Sequence, residues 1–170
     1  MKLLINGTLK EINMSKQKGQ QCDPKIESKK EQKTEPIGPV VEYELKIREG
    51  HLDSFGHVNN SKYLEIFEEA RWEILDSHGY GLKKVHEVKQ GPVILDLRVQ
   101  FQRELRNREQ IKIKSYVTVA GEKIFVMRQV MYKASGEEAC IADFTFGLFD
   151  MALRKLIPAT AAWKKALGLE

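Results

Sequence analysis

The order of periodicities constrains this chain most: one alternating run, one long amphipathic run, then four alternating runs. From Val40 to Arg48, Val41, Tyr43, Leu45 and Ile47 alternate with Glu42, Glu44, Lys46 and Arg48, the period of a half-buried strand. From Asn60 to Ser77 the period lengthens. Tyr63, Phe67, Ala70 and Ile74 fall at i, i+4, i+7 and i+11, and Leu64, Ile66 and Leu75 widen them into the apolar face of a helix. Asn59 or Asn60 suits its N-cap, and Gly79 its C-terminal stop. Pro92 to Gln102 then sets Val93, Leu95, Leu97, Val99 and Phe101 on one face, and Gln110 to Ala120 does the same with Ile111, Ile113, Ser115, Val117 and Val119. Ile124 to Tyr132 and Glu138 to Asp150 form two more strands around a hairpin at Lys133–Glu137, and a short helix, Ala161 to Leu167, follows Pro158.

Consecutive strands after a single helix predict an α+β protein, a five- to six-stranded antiparallel sheet wrapped around one long central helix. The last strand exceeds the usual five or six residues, and a long strand fits a curved sheet. This domain is expected over residues 39–170. Residues 1–38 read as a disordered basic leader, because its Lys, Gln, Glu and Ser cannot bury enough surface to offset the entropy of ordering.

The leader also explains the charge. Its eight lysines and five acids carry +3 of the net +4, so the rest of the chain is near neutral and does not predict nucleic-acid binding. No apolar run spans a bilayer, and Met-Lys-Leu-Leu-Ile is too short for a secretory core, so a cytoplasmic protein without membrane partners is expected. Cys22 and Cys140 form neither a disulfide framework nor a metal spacing, and Cys140 reads as a small core hydrophobe. His51, Asp53 and His57 lack any recognised zinc pattern, so neither a metal nor a cofactor is expected.

Chemistry concentrates between the first strand and the helix, in Arg48-Glu49-Gly50-His51-Leu52-Asp53-Ser54-Phe55-Gly56-His57-Val58-Asn59-Asn60-Ser61-Lys62-Tyr63. Asp53 lies seven residues before Asn60, and a tight loop through Gly56 can aim its carboxylate and a helix N-terminus at one carbonyl. Such an N-terminus offers unpaired N–H groups and the positive end of a dipole. Asp53 also reads as a turn-forming residue, His57 as a proton shuttle, a substrate-orienting donor or a loop histidine bonded to backbone, and Tyr63 as core. Asn59 could hold the loop or cap the helix.

This stretch resembles the active-site signature of the 4-hydroxybenzoyl-CoA thioesterase-like branch of the hot-dog fold: an Asp, two residues, Gly, often His-Val-Asn-Asn, then a Tyr in the first helical turn. The likeness extends from residue 40 to about residue 160 and includes Val99-Gln100-Phe101. It implies an acyl-CoA thioesterase acting on CoA or acyl-carrier-protein thioesters. It further implies a homodimer with one continuous sheet, or a homotetramer. Asp53 would be general base or nucleophile, with Asn60 and His57 as catalytic partners and Gly56, Val58, Asn59 and Tyr63 around the substrate. Relatives with a second catalytic imidazole carry it where this chain has Asn60. Arg103 and Arg106 are candidates for the CoA phosphates, although Asn107-Arg108-Glu109 replaces the Gly-Asp pair frequent in that turn. Phe55, Ile66, Phe67, Phe125 and Met127 are candidates for the acyl wall. The rival readings are a non-catalytic acyl-CoA or acyl-carrier binder and a hot-dog hydratase or dehydratase.

Overall fold

The computed structural model describes residues 2–5, 8–11 and 35–169. The chain divides into units at residues 1–33 and 34–170. In the first, β1 (Lys2–Ile5) pairs antiparallel with β2 (Thr8–Glu11). The leader expected over 1–38 therefore includes this hairpin, its residues 12–34 lie outside those described, and β3 already begins at Ile37.

The second unit is one antiparallel sheet against one long helix. Its elements are β3 (Ile37–Lys46), a 3-10 turn (Glu49–His51), α1 (Asn60–Ser77), α2 (Leu82–Val88), β4 (Gln90–Phe101), β5 (Gln110–Ala120), β6 (Ile124–Lys133), β7 (Glu138–Asp150), β8 (Lys155–Ile157) and α3 (Ala161–Ala166). The sheet order is β3-β5-β6-β7-β4, with β8 paired to the end of β7 beyond the start of β6. This is the hot-dog architecture expected from the sequence. Among the described residues no helix is long and apolar enough to cross a membrane.

α1 is held where its pattern predicts. Asn59 is the N-cap, its Oδ1 accepting from Ser61 N at 2.9 Å, an arrangement that typically stabilises a helix by about 1 kcal/mol. Gly79 adopts φ +77° just past the end, a conformation that costs a residue with a Cβ. Tyr63, Ile66, Phe67, Ala70, Ile74 and Leu75 face the sheet. Two clusters fill the interior: Phe67, Ile113, Met131 and Phe144 under the first half of α1, and Leu75, Phe125, Phe146 and Trp163 under the second.

Two bulges correct the expected strand faces. Between Ile94 and Asp96 the β4 register slips by one residue against β7. Pro92 and Ile94 therefore share the face of Leu148 and Phe146, while Leu97, Val99 and Phe101 continue that face beyond the bulge. Val93 and Leu95 leave the set. A second bulge between Val117 and Val119 turns Val119 outward, where it is exposed. An inserted residue reverses the two-residue alternation for the rest of a strand. Helix α2 and strand β8 are further departures: each is too short to show a period, and α2 buries only Val85.

One polar cluster crosses the interior. Gln129, fully buried, donates from Nε2 to the Phe67 carbonyl at 3.2 Å and to Ser115 Oγ at 2.9 Å, and its Oε1 accepts from Arg71 Nη1 at 2.8 Å. The Arg71 guanidinium also lies 3.9 Å from the centre of the Phe144 ring.

Candidate active site

The loop before α1 is a small hairpin that locks itself. Leu52 bridges Val58, Asp53 N–H donates to the His57 carbonyl at 2.8 Å, and Gly56 N–H donates to the Asp53 carbonyl at 3.1 Å. Gly56 sits at φ +79°, the left-handed conformation that glycine adopts without steric cost. Strand-like contacts dock the hairpin on the following layer: Val58 N–H donates to the Leu105 carbonyl at 2.9 Å, and His57 bridges Arg106.

Asp53 divides its carboxylate between two tasks. Oδ1 accepts from Phe55 N at 2.8 Å and His57 N at 3.3 Å, closing the turn. Oδ2 has no hydrogen-bond partner among the described residues, and Asp53 lines a concavity of about 390 Å³ with His57, Asn60, Tyr63, Phe101 and Glu104. The turn-forming and chemical readings of Asp53 are thus compatible.

The helix end opens on the same space. In its first turn Ser61 N–H is taken by the Asn59 side chain, and Lys62 and Tyr63 N–H by the Asn59 carbonyl, at 2.9, 2.9 and 3.3 Å. Val58 and Asn59 N–H are spent on Leu105 and His51. The Asn60 N–H alone in this stretch has no acceptor among the described residues.

His57 Nε2 lies 2.9 Å from Glu104 Oε2. Glu104, which sequence reasoning did not single out, also pairs with Arg106. Forty-seven positions separate it from His57, and only the docking of the hairpin on residues 105–106 brings them together. Tyr63 is buried, packs edge-on against Phe101 at 5.1 Å and is pushed up to about 12 by burial, so it stays a neutral phenol.

The remaining candidates separate. Arg103 rims the concavity, with Nε 3.0 Å from Glu137 and Nη1 donating to the Glu138 carbonyl. Arg106 and Arg108 are outside the lining and paired with Glu104 and Glu49. Val58 lines the space, while Gly56 shapes the turn and Asn59 caps the helix without lining it. Of the acyl-wall candidates, Phe55 is 83% exposed, Ile66, Phe67 and Phe125 are interior, and Met127 reaches a second cavity. Among the described residues no three His, Cys, Asp or Glu side chains converge as metal ligands.

A carboxylate residue and the first residue of a helix lining one opening suit the hydrolysis of an acyl group. The model of the thioesterase-like superfamily matches residues 47–167. The chain belongs to that family, and it is a thioester hydrolase. It is 28% identical over 119 residues to the long-chain acyl-CoA thioesterase FadM of Escherichia coli, covering 69% of this chain and 89% of that protein. It is 29% identical over 102 residues to the chloroplastic acyl-acyl carrier protein thioesterase ATL2 of Arabidopsis thaliana, covering 60% of this chain and 54% of the plant protein. In fold it is similar to SAV2348 of Staphylococcus aureus, solved in complex with CoA: TM-score 0.71, 15% identity, 76% of this chain and 82% of that one.

Proposed function

We propose that this enzyme hydrolyses acyl-CoA thioesters, with Asp53 as the catalytic carboxylate and the Asn60 N–H as an oxyanion donor. The observation that carries the reading is the pairing of an unengaged Asp53 Oδ2 with an unengaged Asn60 amide at one concavity. Thioester cleavage needs a group that activates water or attacks the carbonyl, and a donor for the oxygen on which charge develops. Asp53 supplies the first and Asn60 the second. The leaving thiolate belongs to an acid of pKa about 8–9 and departs without a strong proton donor. His57, held by Glu104, is a donor for orienting the substrate, and Arg103 at the rim is the candidate cation for the CoA phosphates.

The substrate class rests on the resemblance to FadM, and the likeness to ATL2 makes an acyl-carrier-protein thioester the second candidate. A homodimer belongs to the same proposal. β4 is an edge strand on which Ile94, Leu95 and Phe101 are 41%, 46% and 54% exposed, and pairing it with a second copy would cover an otherwise aggregation-prone edge. Residues 39–170 would then carry the whole catalytic unit, acting in the cytoplasm.

The test is thiol release from a panel of acyl-CoAs by the native protein and by Asp53→Asn. The asparagine keeps an Oδ1 acceptor for the turn and removes the charge. A fall in kcat of about a hundredfold or more with native stability supports the assignment. Equal turnover in both removes Asp53 from the chemistry. The His57–Glu104 pair also gives a hydratase reading its acid-base couple, and loss of an enoyl-CoA double bond without thiol release would favour it.

A further inference from the structure

The turn between β7 and β8 departs from the usual composition of an exposed turn. Its residues 151–154 are Met-Ala-Leu-Arg, where Gly, Asn, Asp and Ser are the common choices. Met151 is 44% exposed and Leu153 59%. The backbone beneath them is fixed. Asp150 Oδ1 accepts from Ala152 N at 3.0 Å and from Leu153 N at 2.8 Å, and its Oδ2 accepts from Gln90 Nε2 at 3.0 Å. The Lys89 carbonyl accepts from Met151 N at 2.9 Å. A Cβ placed on Gly91 would meet Val85 of α2 at 2.9 Å and the end of Met151 at 3.8 Å, so the turn and α2 lie side by side. Both stand beyond the last ladder pair of β4 with β7, past the end of the sheet.

Charge gathers at the same place. Residues 82–89 and 150–157 hold Lys83, Lys84, Lys89, Arg154 and Lys155 against Glu87 and Asp150. The other residues beyond 38 hold 15 cations and 17 acids, so the positive charge of this part of the chain is concentrated here. Among the described residues, Lys83, Lys89 and Arg154 form no ion pair. A nucleic acid would answer these cations and leave Met151 and Leu153 in water. A second copy of this chain in a symmetric contact would cover the apolar tip and set like charges against each other. An anionic lipid surface answers both features, because its headgroups attract Lys and Arg while its acyl boundary accepts apolar side chains.

We propose that the β7–β8 turn and α2 form a docking surface for an anionic lipid bilayer, with Met151 and Leu153 entering the headgroup boundary and Lys83, Lys89 and Arg154 facing the phosphates. This peripheral contact needs no membrane-crossing helix, and it revises the expectation of a protein without membrane partners. It does not depend on which thioester is cleaved.

The experiment is co-sedimentation of the full chain with two kinds of vesicle, phosphatidylcholine alone and an equimolar mixture with phosphatidylglycerol. Native protein is compared with Leu153→Ser and with the double variant Arg154→Gln, Lys155→Gln. Residues 1–38 are present in every sample, so any attraction of their lysines to the vesicles cancels in the comparison. Native protein is expected on the mixed vesicles and not on phosphatidylcholine. Each cation removed should lower the partition coefficient about fivefold, or about 25-fold for the pair. Leu153→Ser should lower it about tenfold. The bonds to Asp150 run through backbone N–H groups, so both variants should keep the native urea midpoint. Native protein that stays in the supernatant overturns the inference. Variants that bind as well as the native chain also overturn it, and assign the binding to residues 1–38. A change in particle mass on Leu153→Ser, with vesicle binding unchanged, would make the turn a contact between copies and end the proposal.

Discussion

Replacing Asn60 with proline isolates the proposed oxyanion donor more cleanly than any side-chain truncation. Asn60 is the first residue of α1, where proline is favoured because its fixed φ suits the helix and its missing N–H would have no intrahelical partner. The preceding residue tolerates the change as well: Asn59 sits at φ −62°, ψ 141°, the extended region that a following proline requires. The donor removed is the N–H that has no acceptor among the described residues, so no hydrogen bond of the fold is lost. The expected change in stability is therefore within about 1 kcal/mol. Catalysis should respond differently. Loss of an oxyanion donor typically lowers kcat by about 10²–10³, or about 2.7–4 kcal/mol. Thiol-release kinetics and urea denaturation of Asn60→Pro, with Asn60→Ala as a control that keeps the N–H, measure both quantities. A folded Asn60→Pro with undiminished kcat would refute the oxyanion assignment. An equal loss in Asn60→Ala would assign the effect to the side-chain amide instead.

Gln129→Leu should destabilise the fold by about 2–4 kcal/mol in urea denaturation, since it strips Ser115 Oγ and the Phe67 carbonyl of a donor and Arg71 of its acceptor. A change below about 1 kcal/mol would mean that these groups find other partners. Burial pushes the Cys140 thiol up to about 12, above the usual value of about 8.5, so it stays protonated at pH 8. In a Cys22→Ser background, maleimide labelling of Cys140 at pH 8 should occur only as fast as the protein opens. Because the folded pKa is raised, this thiol's contribution to stability is full below about 8.5 and declines as pH rises towards 12, which alkaline denaturation of Cys140→Ala against native protein would detect.

Much of the architecture was legible because periodicity is local. A period of two over β3, β5, β6 and β7, and one near 3.6 over Asn60–Ser77, identify strands and helix before any partner is known. The geometry of the loop before α1 was legible for a related reason: Asp53, Gly56, Asn59 and Asn60 are all neighbours in sequence, and their turn and cap follow from local hydrogen bonds. What local pattern does not encode is pairing. The bulges that drop Leu95 and Val119 from the inner face exist only relative to an adjacent strand.

The same distinction holds for the site. The sequence alone determined that a carboxylate and a helix N-terminus stand within one loop's reach, and that a long helix faces a long sheet. Tertiary structure decided that Glu104 meets His57, that Arg103, Arg106 and Arg108 are each matched with a glutamate, and that Arg71 and Trp163 share an apolar cavity. Each of these depends on residues far apart in the chain, brought together because the apolar face of α1 and the curved sheet bury one another. Charge and exposure at those positions are properties of that packing, and no stretch of sequence carries them by itself.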